Sequence, residues 1–263
     1  MAWDPSGKVA VVTGASSGIG RATAIRLHDE GMTVVAVARR EERLNELAVG
    51  RSGIVPHAAD VTDLEAVDGL AARVERELGA CHVLVNNAGV GGGPFEGRTD
   101  LEDAIRTVDV NLLGTVRCTA AFSGLLERSA PSRLVNVASV AGKIGIGPAA
   151  YAAAKFGMVG FSEALSLSWA ERGVTVCQLN PGFIRTEGFP QRRWVSSPLS
   201  GLVGEPEDVA EAILEAVVAG RRERTVPRWY RIFVALRHLA PPVFWALASK
   251  SARASGRRGS RSG

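Results

Sequence analysis

Residues 8–20 read Lys8-Val-Ala-Val-Val-Thr-Gly-Ala-Ser-Ser-Gly-Ile-Gly20, a β-branched run followed by a turn with three glycines. The run is typical of a buried strand, and the pattern from Gly18 to Glu30 predicts a helix directly after it. Glycines in such a turn let the backbone approach a pyrophosphate, and the helix N-terminus offers it free N–H groups. The stretch therefore predicts a dinucleotide-binding unit, although a purely structural tight turn would use the same glycines.

Five more short apolar runs follow, each after a stretch long enough for a crossover helix. They are Thr33–Ala38, Gly53–His57, His82–Val85, Arg133–Val137 and Val174–Leu179. Near-continuous apolar strands separated by helices indicate a parallel sheet that is covered on both faces. We therefore predict an α/β fold, a Rossmann-type doubly wound parallel sheet, in a single domain over residues 1–225.

The composition is that of an ordinary globular protein, with 263 residues of which 46% are hydrophobic and 22% charged. This excludes a disordered or fibrous chain. No apolar run reaches the roughly 18 residues that a membrane-spanning helix needs, and the N-terminus lacks the pattern of a secretion signal. Cys81, Cys118 and Cys177 are widely spaced and form no metal-binding pattern, so we expect a reducing cytoplasm and no metal site.

The charge is concentrated at the C-terminus. Residues 221–263 carry 11 Lys or Arg and one acid, so the first 220 residues have a net charge of −6 although the whole chain has +4. We predict an aromatic and basic extension over residues 226–250. The segment 251–263 is a Ser/Gly/Arg tail, too poor in apolar residues to fold.

The extension has two equally good interpretations. The aromatic and basic composition of 228–250 suits a segment on the inner, anionic face of a membrane, although its longest uncharged stretch, Leu239–Ser249, is too short to span it. Alternatively, its aromatic side chains pack on the domain, on a second subunit or over the substrate mouth. A nucleic acid is a poorer partner, because only the tail is basic and the body is acidic.

Further motifs stand in one frame with the GxxxGxG spacing of the first turn. They are Asn86-Asn87-Ala88-Gly89, Asn111, Ser139, Tyr151-xxx-Lys155 and Pro181-Gly182. In order and interval they resemble the classical short-chain dehydrogenases/reductases over about residues 6–220. The resemblance implies an oxidoreductase that transfers a hydride between a nicotinamide cofactor and the carbonyl or secondary alcohol of a small molecule. It also implies a homodimer or homotetramer, paired through helices at about 101–128 and 150–171.

The resemblance assigns catalytic roles to four residues. Tyr151 becomes the general acid/base, and Ser139, which follows a predicted strand, donates to the substrate carbonyl. Asn111 kinks its helix and holds a water in a proton relay through Lys155. Tyr151 and Lys155 lie four apart in the helical pattern Ala149–Ala170, so they share one helix face. The ammonium, together with the oxidised nicotinamide, is expected to lower the pKa of Tyr151, although a Tyr and Lys at this spacing are otherwise commonplace.

The end of the second predicted strand bears on the choice of cofactor. It reads Ala38-Arg39-Arg40, with no acid before Glu41. A site selective for NAD usually has an acid there for the ribose 2′-hydroxyl, whereas two guanidiniums suit a 2′-phosphate. This predicts NADP(H), with Arg39 as the first candidate contact. Alternatively, the two arginines only solvate the start of a helix.

The resemblance extends the cofactor site to further positions. It places Asp60 and Val61 at the adenine, although Asp60 would equally suit a helix cap, and Thr186 at the nicotinamide carboxamide. In all, the predicted cofactor-binding residues are Gly14, Ser16, Ser17, Gly18, Ile19, Gly20, Arg39, Arg40, Asp60, Val61, Asn86, Ala88, Gly89, Tyr151, Lys155, Pro181, Gly182, Ile184 and Thr186.

The segment from Glu187 to Gly204 is expected to close over the substrate. Its apolar and basic residues suit an apolar substrate with a polar or anionic end; they include Phe189, Arg192, Arg193, Trp194, Val195 and Leu199. The alternative function is a non-catalytic nucleotide sensor on the same fold, or a protein whose tail binds an anionic membrane or nucleic acid. A nucleotide sensor would be expected to lack one of the four catalytic residues, and this sequence has all of them.

Overall fold

The computed structural model describes residues 3–187 and 203–249. Seven strands form one sheet: β1 (Val9–Thr13), β2 (Thr33–Ala38), β3 (Ile54–Ala58), β4 (Val83–Asn86), β5 (Ser132–Val137), β6 (Val174–Pro181) and β7 (Glu223–Val226). Their order is β3-β2-β1-β4-β5-β6-β7, and every neighbouring pair is parallel. The direction of winding reverses beside β1, which opens a crevice at the carboxyl ends of β1 and β4. The predicted doubly wound α/β fold is confirmed.

Helices cover both faces of this sheet. They are α1 (Gly18–Asp29), α2 (Glu41–Ala48), α3 (Leu64–Leu78), α4 (Leu101–Val108), α5 (Gly114–Arg128), α6 (Ala141–Ile144), α7 (Ala149–Ser168), α8 (Pro206–Ala219), α9 (Arg231–Leu239) and α10 (Pro241–Ser249). Alternate residues of a strand point to opposite faces, so Val12 packs in one core with Leu27 of α1, and Val11 packs in the other with Phe122 of α5. Both faces are thereby buried, as a parallel sheet requires.

The six predicted strands are found within two residues of their predicted ends. The seventh strand, β7, was not predicted, because its sequence Glu-Arg-Thr-Val lacks an apolar run. It lies at the edge of the sheet, where one side of the strand has no neighbour and charged residues are tolerated. The helical stretch predicted over 100–128 is divided into α4 and α5 by a π-helical turn at Asp109–Leu113.

The C-terminal extension folds back onto the domain. A 3-10 turn at Arg228–Tyr230 leads into α9, and α10 follows at an angle of 116°. Tyr230 and Phe244 are buried in a cluster with Val140 and Ile144, which lie beside the carboxyl end of β5. Packing on the domain thus accounts for one face of the extension.

The other face of the extension is exposed, with Leu239 85% and Ile232 70% accessible to solvent. No single helix of the described residues is long and apolar enough to cross a bilayer. The bent pair Arg228–Leu239 and Pro241–Ser249 reaches that length and hydropathy only when its two helices are counted together. The predicted unfolded tail, 251–263, lies outside the described residues.

Candidate active site

The glycine-rich turn between β1 and α1 forms one wall of a cleft of about 370 Å³. Gly14 has φ +70° and Gly18 has φ +53°, values that side chains disfavour. A Cβ on Gly14 would lie 2.8 Å from Nδ2 of Asn87, and a Cβ on Gly18 would lie 3.1 Å from Cγ2 of Thr186. The turn needs glycine both for its backbone path and for the close approach of two other loops.

The same turn has the properties of an anion-binding site. Ser17, at the N-cap of α1, makes no side-chain capping hydrogen bond. A helix N-terminus without a side-chain cap attracts negative charge through its N–H groups and dipole. This chemistry fits the pyrophosphate of a dinucleotide.

Thr13 joins the two central strands at the base of the cleft. Its hydroxyl donates to the carbonyl oxygen of Val85 at 3.3 Å and accepts from the backbone N–H groups of Asn87 and Ala88, each at 3.0 Å. The side-chain amide of Asn87 donates back to the carbonyl of Thr13 at 3.0 Å. Asn87 was not among the predicted site residues, although it stands inside a quoted motif. Asn87 holds the two strand ends together through Thr13, which lies 74 residues away in the sequence.

Most predicted cofactor-binding residues line this one cleft. They are Gly14, Ser16, Ser17, Gly18, Ile19, Arg39, Arg40, Asp60, Val61, Ala88, Gly89, Tyr151, Lys155, Pro181, Gly182, Ile184 and Thr186. Asn86 and Gly20 do not line it. The Asn86 amide is buried and donates to Thr119 and Asn136 at 3.0 Å each. Gly20 packs so tightly on Gly14 and Asn87 that a Cβ has no room, so both residues shape the cleft from behind its wall.

The two arginines after β2 differ in their surroundings. Nη2 of Arg40 donates to the hydroxyls of Ser16 at 2.9 Å and Ser17 at 2.8 Å, which fixes the guanidinium against the glycine-rich turn. Arg39 has a 58% exposed side chain and lies 3.7 Å from the carboxylate of Asp60. Arg40 is therefore the cation that is hydrogen-bonded to the turn, and its Nη1 also lies 3.8 Å from the carboxylate of Glu187.

Asp60 is held in the cleft wall by its own loop. Its Oδ1 accepts from the backbone N–H and the hydroxyl of Thr62 at 3.0 and 2.9 Å. Burial raises the pKa of Asp60, but these hydrogen bonds and the charge of Arg39 outweigh it and lower the pKa. The cap of α3 is Asp63, which accepts from the N–H of Ala66. The alternative that Asp60 caps this helix is thus wrong.

The predicted catalytic residues meet at the opposite end of the cleft. Tyr151 and Lys155 are one turn apart on α7, and Nζ of Lys155 lies 5.6 Å from the centroid of the Tyr151 ring. Ser139 is hydrogen-bonded to the phenol of Tyr151. Nζ of Lys155 donates to the carbonyl of Val137 at 2.9 Å, so the end of β5 holds the ammonium in place.

Burial determines the acid–base state of this group. It raises the pKa of Tyr151, which the hydrogen bond from Ser139 opposes in part. It lowers the pKa of Lys155 to about 7. In the protein alone burial dominates, so the pKa of Tyr151 lies above its ordinary value. The lowering of that pKa by the Lys155 ammonium together with the oxidised nicotinamide stays a prediction for the complex with the cofactor. The protein itself keeps the proton on the phenol.

Asn111 lies in the π-helical turn between α4 and α5. Its Nδ2 donates to the carbonyls of Val90 at 2.9 Å and Thr107 at 2.8 Å. Its Oδ1 is buried and has no hydrogen-bond partner among the described residues. A Cβ on Gly89 would lie 2.6 Å from that oxygen. The oxygen is an acceptor beside the cleft, and π-helical turns often mark functional sites.

Tyr230 of the extension also lines the cleft, and the sequence did not single it out. Its hydroxyl accepts from the backbone N–H of Phe183 at 3.2 Å. Its ring covers Gly182 so closely that a Cβ there would overlap it. The available signal was the group of aromatic residues directly after β7, for which packing over the substrate mouth was one interpretation.

The predicted substrate-covering segment is described only at its two ends. Glu187 pairs with Arg43 at 2.5 Å, and Gly204 pairs in a parallel bridge with Ile184. Phe189, Arg192, Arg193, Trp194, Val195 and Leu199 lie outside the described residues. Within the described ranges, no group of three or more His, Cys, Asp or Glu side chains could hold a metal ion.

Comparisons with known proteins agree with this geometry. Residues 8–194 match the family model described as short chain dehydrogenase. A 3-oxoacyl-[acyl-carrier-protein] reductase from Synechocystis sp. is 36% identical over 217 residues, which is 78% of this chain and 87% of that protein.

Two solved structures share the whole architecture at 27% identity. A short chain dehydrogenase/reductase from Burkholderia phymatum, in complex with NAD, superposes with a TM-score of 0.82. The match covers 92% of this chain and 96% of that one. A short chain dehydrogenase from Burkholderia cenocepacia, in complex with NADP, superposes with a TM-score of 0.80. The match covers 93% of this chain and 98% of that one. With its motifs gathered in one cleft of the same fold, the chain belongs to the short-chain dehydrogenase/reductase family of oxidoreductases.

Proposed function

We propose that the chain transfers a hydride between NADP(H) and a carbonyl or secondary alcohol carbon of an apolar substrate, with Tyr151 as general acid/base. The observation that carries this proposal is one continuous cleft with Arg40 and the glycine-rich turn at one end and Tyr151, Ser139 and Lys155 at the other. One end suits a phosphorylated nucleotide, and the other suits proton transfer to a carbonyl.

The arginines after β2 support NADP(H) as the nucleotide. Arg40 would hold the 2′-phosphate, because Ser16 and Ser17 fix its guanidinium beside the turn through Nε and Nη2. Its Nη1, which lies 3.8 Å from the carboxylate of Glu187, would then donate to a phosphate oxygen in place of that contact. Arg39 is a second, more exposed cation at the same end. Asp60, the nearest acid in the cleft wall, is paired with Arg39 and is not part of β2.

When bound, the nicotinamide supplies or accepts the hydride. In the direction of reduction, Tyr151 gives its proton to the carbonyl oxygen, since burial keeps the phenol protonated. Ser139 lies beside that phenol and can donate to the same oxygen, which stabilises the negative charge that develops there.

Lys155 and Asn111 serve the return of the proton to Tyr151. A lysine with a pKa of about 7 both takes up and releases a proton near neutral pH. The buried Oδ1 of Asn111 is a fixed acceptor for the next donor in the relay. These positions support the relay that the family resemblance implies.

A turnover assay tests the proposal. The probes are acetoacetyl-CoA, a 3-oxoacyl thioester, and an aliphatic ketone of similar length, with loss of NADPH absorbance as the signal. We expect turnover of at least one carbonyl by the wild type. Tyr151→Phe should lower kcat by about 10²- to 10⁴-fold while NADPH binding is retained. A Tyr151→Phe protein with the kcat of the wild type would refute the assigned role.

The proposed homo-oligomer is supported by apolar side chains on the helices named above. Ile105 of α4 is 59% exposed, and on α7 Leu167 is 74% and Phe156 42% exposed. Burying such residues against a second subunit is favourable. Light scattering should give the mass of a dimer or tetramer, and a monomer at micromolar concentration would contradict the proposal.

The exposed face of the extension supports a second role, peripheral binding to an anionic membrane. Ile232 and Leu239 are exposed on α9, in a segment that also carries Arg231 and Arg237. Apolar side chains beside cations are the composition of an interfacial helix. This role would bring the cleft, which Tyr230 lines, close to substrates dissolved in the bilayer.

A further inference from the structure

We infer that Tyr230 is a positioning residue for the loop after β6, so that the C-terminal extension is part of the active site. The loop runs from Pro181 to Thr186 and lines the cleft. The inference rests on the proposed function and on the family resemblance, which places Thr186 of this loop at the nicotinamide carboxamide.

Tyr230 contacts the loop in two ways. Its hydroxyl accepts from the N–H of Phe183 at 3.2 Å, and its ring lies over Gly182, where only a residue without Cβ fits. The N–H of Gly182 donates to the carbonyl of Val226 in β7 at 2.8 Å. The loop is thus held by β7 on its backbone and by Tyr230 on its open side.

The extension in turn holds Tyr230. The side chain of Tyr230 is only 4% exposed, and its ring stacks on Trp229 with centroids 3.8 Å apart. Phe244 of α10 is buried in the same cluster. Aromatic rings packed in this way have few alternative rotamers, so Tyr230 keeps one position.

The same cluster continues to the catalytic residues. Val140, which packs in it, follows Ser139 and donates its backbone N–H to the carbonyl of Pro181 at 2.9 Å. The hydroxyl of Ser139 also lies within hydrogen-bonding distance of that carbonyl, at 3.3 Å. One apolar cluster therefore connects the extension, the loop after β6 and the strand end that carries Ser139.

The test compares three variants. Tyr230→Phe keeps the ring and removes the acceptor, Tyr230→Ala removes both contacts, and Ile232→Ala changes an exposed neighbour as the control. The first measurement is hydrogen exchange of the Phe183 amide in the nucleotide-free protein. We expect faster exchange in Tyr230→Phe than in the wild type or in Ile232→Ala, since the amide loses this acceptor.

The second measurement is the Kd of NADPH and of 2′-phosphoadenosine 5′-diphosphate, which lacks the nicotinamide. The two Tyr230 variants should bind NADPH about three- to tenfold more weakly than the wild type, the effect of one lost hydrogen bond. Their Kd for the shorter nucleotide should be unchanged. If Tyr230→Ala does not fold, Tyr230→Phe decides.

The outcomes separate the inference from the proposed function. The positioning role would be overturned if the Tyr230 variants left both the exchange rate of the Phe183 amide and the Kd of NADPH unchanged. It would also be overturned if the variants lost affinity equally for both nucleotides. A wild-type protein that binds neither nucleotide would overturn the proposed function, while the exchange measurement would still decide on Tyr230.

Discussion

At the scale of single residues, Lys155 couples the active site to stability. It is 4% exposed, and burial lowers its pKa to about 7, against about 10.4 in an unfolded chain. Below pH 7 both states carry the charge, so the folded state bears the full penalty of burying it. Between the two pKa values only the unfolded state binds the extra proton, so the free energy of unfolding rises with pH.

This predicts a difference between the wild type and Lys155→Met. Above pH 7, Lys155 should add up to about 1.4 kcal/mol per pH unit to the free energy of unfolding of the wild type. Lys155→Met should lack that increase. Urea unfolding of both proteins between about pH 7 and pH 9 measures it. Two parallel stability curves would show that the lysine is not desolvated in the folded protein.

The residues of the site differ in how far the sequence could predict them. The spacing of Tyr151 and Lys155 predicts that they share one face of α7, whereas their roles come from the family resemblance. The cation that contacts the glycine-rich turn is Arg40 and not Arg39, because the hydroxyls of Ser16 and Ser17 accept its hydrogen bonds. Tyr230 depends on contact with Phe183, which lies 47 residues away, and no local pattern encodes such a contact.

At the scale of elements, the junction of β1 and β4 depends on the hydroxyl of Thr13. Thr13→Val would leave the N–H groups of Asn87 and Ala88 without this acceptor. We expect the free energy of unfolding to fall by about 1–3 kcal/mol, as measured by urea denaturation. Thr13→Ser, which keeps the hydroxyl, is the matched control. A Thr13→Val protein as stable as the wild type would contradict the role of the hydroxyl.

Most of the strands that were predicted well, such as β1, β4 and β5, are buried along their whole length, and β3, at one edge of the sheet, is the exception. Strands covered on both faces are apolar throughout, so their sequence marks them. The edge strand β7 begins with two charged residues, Glu223 and Arg224, so its sequence does not mark it as a strand. The break between α4 and α5 lies at Asn111, where the resemblance predicted a kink, and there the Asn111 amide donates to the carbonyl of Val90 on another loop.

At the scale of the whole molecule, an acidic body carries a basic extension. The composition of the extension fitted both a membrane segment and packing on the domain, because one of its faces is buried and the other is exposed. Tyr230 and Phe244 are buried, whereas Ile232 and Leu239 are exposed. Only the fold separates these residues into two groups.

This separation predicts the result of liposome flotation. Full-length protein should float with phosphatidylserine vesicles and much less with phosphatidylcholine vesicles, because anionic lipid attracts the arginines. The double variant Ile232→Glu/Leu239→Glu should stay in the soluble fraction. A truncation after residue 225 is a poor control, because it would uncover the apolar cluster around Val140 and Ile144. Wild-type protein that never floats would end the membrane proposal.

The central claim, an NADP(H)-dependent reductase, is tested most directly by nucleotide binding, followed by energy transfer from tryptophan to the reduced nicotinamide. The account predicts micromolar binding of NADPH, binding of NADH weaker by at least about tenfold, or 1.4 kcal/mol, and loss of that difference in Arg40→Ala. Equal affinity for the two nucleotides, or binding of neither, would contradict it.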